Sequence, residues 1–370
     1  YSTTLVLQEA RKICKRILCL PFDPVSYRRS GRRAALDVAL KDAYLDGKWG
    51  DAKMFTCPSA LRKDFISESK NDELFRRVAK RLFRHASRTG VPLNLNADCL
   101  TLVLVDKSWK IKRPITPLSI FGLYWSYGVG GYVEECLRMS GLDITKLQAI
   151  HRRLAKRYSK PNKAGRLTHV TADLPSASDS VRSDHLNRVL PRWFYTELRK
   201  TFVRTLSIDK RKYHTVSCLP MGNGATFPVE TLYFYCIIKA IGNLLDVKGT
   251  YSVYGDDLIY PTRIHPYVVD VFNDLGTGIN GDKTFVSVPF RESCGGDYYH
   301  GIDVRPFLFP KERMPDARLK ACQYLYKVYN TLRTRWDEVE LPHTFRFIKS
   351  EIVYRHGTIF QVPPSFPDTA

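Results

Sequence analysis

The sequence has no C-x-x-C pair and no H-E-x-x-H or comparable histidine spacing, so it offers no zinc-type ligand set. Its nine cysteines are odd in number and widely scattered, which excludes a disulfide scaffold and points to reduced thiols in a cytosolic setting. Repeats and low-complexity stretches are also missing, and only the tail "VPPSFPDTA" looks loose. The opening "YSTTLVLQEARKICKRILCLPF" lacks the ordered basic region, apolar core and cleavage site of a secretory leader. It also starts on Tyr rather than Met, so a fragment or processed product is expected. One uncharged run, Ile115 to Val133, contains Pro117 and four glycines, which suits a buried Gly-rich segment better than a membrane span. Acid is scarce: 37 Asp plus Glu stand against 58 Lys plus Arg, a formal net charge of +21. An excess of that size favours a polyanionic partner, nucleic acid or an anionic membrane.

What is present is enough for a core: 370 residues, 44% of them hydrophobic, a length that divides into two or three subdomains. The patterning is mixed α and β. Leu74, Phe75, Val78, Ala79, Leu82 and Phe83 recur at helical spacing before Gly90, with Arg76, Arg77, Lys80, Arg81 and Arg84 on the other face. That basic face suits solvent as well as RNA. "LTLVLV" (100–105) reads as a strand running into a basic stretch with Lys107, Lys110, Lys112 and Arg113. "RLTHVTADL" (166–174) reads as another strand, "VETLYFYCIIKAIGNLL" (229–245) as an apolar helix, and "TYSVYGDDLIY" as a hairpin. "HPYVVDVFNDLG" reads as a short helix, "DKTFVSV" as a strand, and the residues after about 307 as mostly helical.

A lone Gly-Asp-Asp is weak evidence, because a turn with surface acids explains it equally well. Its company matters more. Upstream, "THVTADLPSASDSV" is a strand ending in Asp173, then a polar loop reaching Asp179. If the two strands pair, Asp173 and Asp256 meet at adjacent strand ends, and crowded carboxylates need a compensating cation to stay ionised. Hard oxygen ligands with room for water and phosphate suit Mg²⁺, and two such ions fit in-line phosphoryl transfer. Between the acid segments, Gly222 and Gly224 flank Asn223 just ahead of a helix, so the backbone can approach a ligand closely and the Asn223 amide can project.

In order, "DLPSASDS", "MGNGATFPVETLYF", "VYGDDLI", "DKTF" and "FRESCGGDYYHGIDVRPF" resemble the motifs of viral RNA-directed RNA polymerases. The last resembles the replicases of levivirus-type single-stranded RNA bacteriophages. The resemblance spans about residues 103 to 309. It implies an α+β right-hand polymerase with an antiparallel palm sheet flanked by helices. Fingers would cover 1–165, with the amino-terminal part incomplete. The palm would cover 166–305, with a short fingers insertion near 191–215, and thumb and tail 306–370.

Residue by residue, the resemblance implies that Asp173 and Asp256 are the principal ligands of two Mg²⁺ ions, replaceable by Mn²⁺, with Asp257 close by. Asp179 and Asn223 would read the ribose 2′-hydroxyl, since an acceptor beside an amide satisfies a group that both donates and accepts. Lys107, Lys110 and Arg113 would lie over the triphosphate, with Lys112 departing from the pattern. Lys283 would protonate the leaving pyrophosphate or act electrostatically. Tyr298 and Tyr299 would be core aromatics or a grip on the primer. The implied activity is template-directed RNA synthesis in the cytoplasm of an infected bacterium. The implied partners are RNA, ribonucleoside triphosphates, host elongation factors Tu and Ts and a ribosomal protein. A reverse transcriptase is disfavoured because Leu, Pro, Ser, Ala and Ser follow Asp173, leaving no bulky aromatic gate. A non-catalytic RNA-binding protein of the same fold is a further alternative.

Overall fold

A computed structural model describes residues 2–27, 55–106, 110–306, 318–333 and 335–359. Contacts divide the chain into two compact units, with the boundary between Asp303 and Val304.

The first unit opens with α1 (Thr3–Ile17), α2 (Arg62–Asn71) and α3 (Glu73–Thr89). Asp72 caps α3 by accepting from the Phe75 N–H, and Gly90 ends it in the left-handed region. Phe75, Ala79 and Leu82 are buried, but Phe83 is 51% exposed, because it falls one position beyond the apolar stripe. "LTLVLV" is not one strand. β1 (Cys99–Thr101) and β2 (Val103–Asp106) break at Leu102 and join different sheets. β2 pairs in antiparallel fashion with β3 (Lys112–Ile115).

The Gly-rich run becomes α4 (Ile120–Met139), almost wholly buried, and among the described residues no helix is long and apolar enough to cross a membrane. A Cβ at Gly130 would come within 2.6 Å of the Gly224 carbonyl, so α4 spends a glycine on letting a loop approach it closely. α5 (Ile144–Tyr158) follows, then β4 (His169–Asp173), the short α6 (Ala177–Ser180), α7 (Ser183–Val189) and α8 (Arg192–Arg199). β5 (Thr205–Ile208) pairs parallel to β1 and antiparallel to β6 (Arg211–His214).

α9 (Thr226–Leu244) carries only Glu230 and Lys239 as charges and buries most of its length, since a helix apolar on all sides must lie inside. β7 (Ser252–Tyr254) and β8 (Asp257–Pro261) form the hairpin, and β4 adds to β8, giving the antiparallel order β4-β8-β7. α10 (His265–Asp274) comes next. "DKTFVSV" is not a strand: it holds a 3₁₀ turn at Gly281–Lys283 and one isolated bridge, Phe285 to Thr171. Its amides are drawn instead to β4 and to the turn, with Phe285 N–H donating to Thr171 C=O at 3.0 Å. β9 (Phe290–Ser293), β10 (Gly296–Tyr299) and β11 (Ile302–Asp303) complete the unit as an antiparallel sheet. Alternation along β10 buries Tyr298 at 9% exposure and leaves Tyr299 at 48%, so the two tyrosines divide between core and surface.

In the second unit, α11 (Arg318–Arg333) and α12 (Pro342–His356) pack through Leu325, Val328, Leu332, Phe345, Ile348 and Ile352. The helical expectation holds there, while the tail from 360 lies outside the described residues.

Candidate active site

The β7–β8 loop is two residues long because Tyr254 pairs with Asp257. Gly255 takes φ 61° at its first position, the pattern of a type II′ hairpin turn. A Cβ there would meet Phe227 at 2.6 Å. Glycine is therefore required both by the turn and by the ring beneath it, and it thrusts Asp256 outward, where the side chain is exposed.

Register then brings the acids together. Asp173 is directly opposite Asp257 across β4 and β8, which places their side chains on one face. The Leu174 N–H donates to the Asp256 carbonyl at 3.1 Å, so the end of β4 abuts the hairpin turn. Asp173 Oδ2 accepts from Asn280 Nδ2 at 2.9 Å and lies 3.8 Å from Lys283 Nζ. Asp257 Oδ2 accepts from the Cys294 N–H at 3.0 Å. Burial, together with the charges of Asp256 and Asp173, pushes the Asp257 carboxyl up to about 6 despite the opposing Cys294 bond.

A cavity of about 850 Å³ opens in front of the turn, lined by Lys112, Arg113, Asp179, Asn223, Glu230 and Asp256 among others. Neither Asp173 nor Asp257 lines it directly. The expected basic strand is represented at the cavity by Arg113 and by Lys112, the residue that departs from the family pattern; Lys110 is exposed and does not line it, and Lys107 lies outside the described residues. Asp179 reaches the wall from α6, and its carboxyl is raised by partial burial.

Asn223 is at the wall, but its amide is turned inward. Nδ2 donates to Thr201 C=O at 3.0 Å and Oδ1 accepts from the Ala225 N–H at 2.9 Å. The expectation of a freely projecting amide is corrected accordingly: the tight entry into α9 leaves backbone groups that the side chain satisfies.

Sequence reasoning missed Glu230. Its side chain is 6% exposed in a cavity wall, and burial, with Asp256 and Asp179 nearby, pushes its carboxyl up to about 8. The available signal was one acid on the first turns of an otherwise apolar helix, because buried carboxylates are rare unless they have a task.

Among the described residues, no three His, Cys, Asp or Glu side chains are arranged to surround a metal ion. A fully protein-built cage is thus not what these acids form. Mg²⁺ needs less, since it keeps several waters and binds through one or two carboxylates plus phosphate oxygens. Asp173 and Asp256 at touching strand ends, beside the Asp257 carboxyl lifted by burial and by their charge, fit that requirement.

This architecture is shared with polymerases. The BmCPV RNA-dependent RNA polymerase at elongation state superposes with a TM-score of 0.55 at 12% identity, covering 95% of this chain and 33% of that one. The fold is therefore the α+β fold of RNA-dependent RNA polymerases. The family is more specific: the model of "RNA replicase, beta-chain" matches residues 92–356, and this chain belongs to that family. The RNA-directed RNA polymerase subunit beta of Escherichia virus Qbeta is 36% identical over 240 residues, 64% of this chain and 39% of the relative. The RNA-directed RNA polymerase beta chain of Enterobacteria phage fr is 35% identical over 207 residues, 56% of this chain and 37% of the relative. The matched regions span less than half the length of these relatives.

Proposed function

We propose that this chain is the catalytic part of a phage replicase, transferring nucleotides from ribonucleoside triphosphates to an RNA 3′-hydroxyl under the direction of an RNA template. The observation that carries this reading is the register placing Asp173 against the Gly255–Asp256 turn, whose Asp256 lines a cavity together with Lys112, Arg113 and Asp179. In this proposal fingers, palm and thumb follow the boundaries 1–165, 166–305 and 306–370, and the chain works inside an infected bacterium.

Asp173 and Asp256 would hold two Mg²⁺ ions, with Asp257, fixed by Cys294, adding negative charge behind them. When bound, such ions lower the pKa of the attacking hydroxyl and offset charge on the phosphates. Arg113 and Lys112 steady the triphosphate electrostatically, a part the resemblance gives also to Lys107 and Lys110 of the same basic stretch. Lys283, beside Asp173, balances that carboxylate and offers its ammonium to the leaving pyrophosphate. Asp179 accepts from the ribose 2′-hydroxyl. Asn223 acts on the same selection by fixing the loop that shapes the wall.

Purified chain given primed RNA, Mg²⁺ and either ribo- or deoxyribonucleotides tests the reading. Extension with ribonucleotides alone is expected; Asp179→Ala should lower the ribo-to-deoxy rate ratio about tenfold or more, in line with one lost hydrogen bond to the hydroxyl, and Asn223→Ala should lower it as well by releasing the loop held to Thr201 and Ala225. Tight RNA binding without extension would identify a non-catalytic RNA-binding protein, and efficient use of deoxyribonucleotides a reverse transcriptase. If extension appears only after adding elongation factors Tu and Ts and a ribosomal protein, those partners of the resemblance are required here as well.

A further inference from the structure

We infer that the outer face of α5 and the turn after it form a second RNA-binding surface, separate from the cavity, that holds the phosphate backbone of a strand longer than the active site can accommodate. The inference rests on the functional reading above only in choosing RNA as the polyanion.

Arg152, Arg153, Lys156, Arg157, Lys160, Lys163 and Arg166 are all exposed, and no acidic residue occurs between Asp143 and Asp173. None of the seven makes an ion pair among the described residues, and none lines the cavity. The basic face of α3 differs, since Arg77 is paired with Glu73 at 2.6 Å and acids sit at the start of that helix. A merely solvated helix face usually interleaves both signs; this one does not.

The surface is also held rigid from beneath. Tyr158 stacks on His169 with ring centroids 3.7 Å apart and donates to Thr250 Oγ1 at 2.7 Å. Ser159 Oγ accepts from the Gly301 N–H at 2.8 Å. The turn that presents Lys160, Lys163 and Arg166 is closed by Asn162, whose Oδ1 accepts from the N–H groups of Ala164 at 3.0 Å and Arg166 at 2.9 Å. Arg153, Lys156, Arg157 and Lys160 recur at helical spacing along about 10 Å. An RNA strand meets charges whose backbone is already fixed, which lowers the ordering cost of binding. A membrane is a poorer occupant, because interfacial helices need exposed apolar anchors and no large hydrophobic side chain between 144 and 168 is exposed.

The test neutralises five cations together, Arg153→Gln, Lys156→Gln, Lys160→Gln, Lys163→Gln and Arg166→Gln. Arg152, which donates to Cys294 C=O, and Arg157, which lies over the Tyr158 ring, stay intact. Glutamine retains helix propensity, and a thermal melt verifies folding. Affinity for an RNA of about 40 nucleotides should fall at least tenfold near 0.1 M salt, and the slope of log affinity against log salt should shrink by up to about 3.5, at 0.7 per lost phosphate contact. Extension of a saturating short primed template should change less than about twofold. Unaltered long-RNA affinity and slope would overturn the inference. So would an equal loss for long and short RNA, or a loss confined to phosphatidylserine vesicles or an acidic peptide. Because binding is read separately from extension, a chain that binds but does not extend refutes the proposed activity without touching this surface.

Discussion

Asp256→Asn is expected to reduce primer extension by about a thousandfold or more while leaving RNA affinity within about twofold. The side chain projects from a two-residue turn into the cavity and is exposed there, so the substitution removes charge without opening a hole in the core. Several kcal/mol of electrostatic stabilisation depends on that charge in the proposed reaction, and each 1.36 kcal/mol corresponds to about a tenfold change in rate. RNA affinity, by contrast, is expected to come from cation–phosphate contacts elsewhere. Extension within tenfold of the unaltered protein would remove Asp256 from the reaction. Loss of RNA binding in parallel would point to misfolding, which a melting curve would reveal.

The second large effect is on stability. Arg291 is fully buried and has no carboxylate partner among the described residues. Its guanidinium donates to four backbone carbonyls: Nε to His169 at 2.8 Å, Nη1 to Val288 and Phe290 at 2.6 Å each, and Nη2 to Val286 at 3.1 Å. Burial lowers its pKa to about 10, so it is still charged at neutral pH. It fastens the loop before β9 to the first residue of β4, the strand that ends in Asp173. Arg291→Met keeps much of the volume but strands those carbonyls, and a cost of about 3 kcal/mol or more follows from lost charge-assisted bonds and buried unsatisfied acceptors. A fall in Tm of about 5 °C or more is expected, together with weaker extension because β4 is loosened. A melting temperature within 1 °C, roughly, of the unaltered protein would contradict this role.

Local signals made the central elements legible. The hairpin was announced by β-formers on both sides of Gly-Asp, and α9 by an apolar run too long for a strand. The pairing of β4 with β8 was an inference from where the acids fell, and the register bears it out. What escaped was decided by tertiary contacts. "LTLVLV" has strand propensity throughout, yet two different partners divide it at Leu102. "DKTFVSV" alternates like a strand but finds no edge to join for most of its length. Asn223 looked free because spacing shows proximity but not which way an amide turns. Glu230 was passed over within an apolar helix because its charge environment comes from Asp256 and Asp179, distant in sequence. The resemblance ranked Lys110 above Lys112, yet Lys112 lines the cavity and Lys110 does not, because β3 starts at Lys112 and carries that residue and Arg113 to the wall while Lys110 precedes it.

The central claim is that Asp173 and Asp256 hold divalent cations in common, and anomalous scattering from crystals soaked in Mn²⁺ with a ribonucleoside triphosphate tests it most directly. A manganese peak in contact with both carboxylates, absent in crystals of Asp256→Asn, is the result expected. Saturating Mn²⁺ with no peak beside either side chain, or with peaks only at other acids, would contradict it.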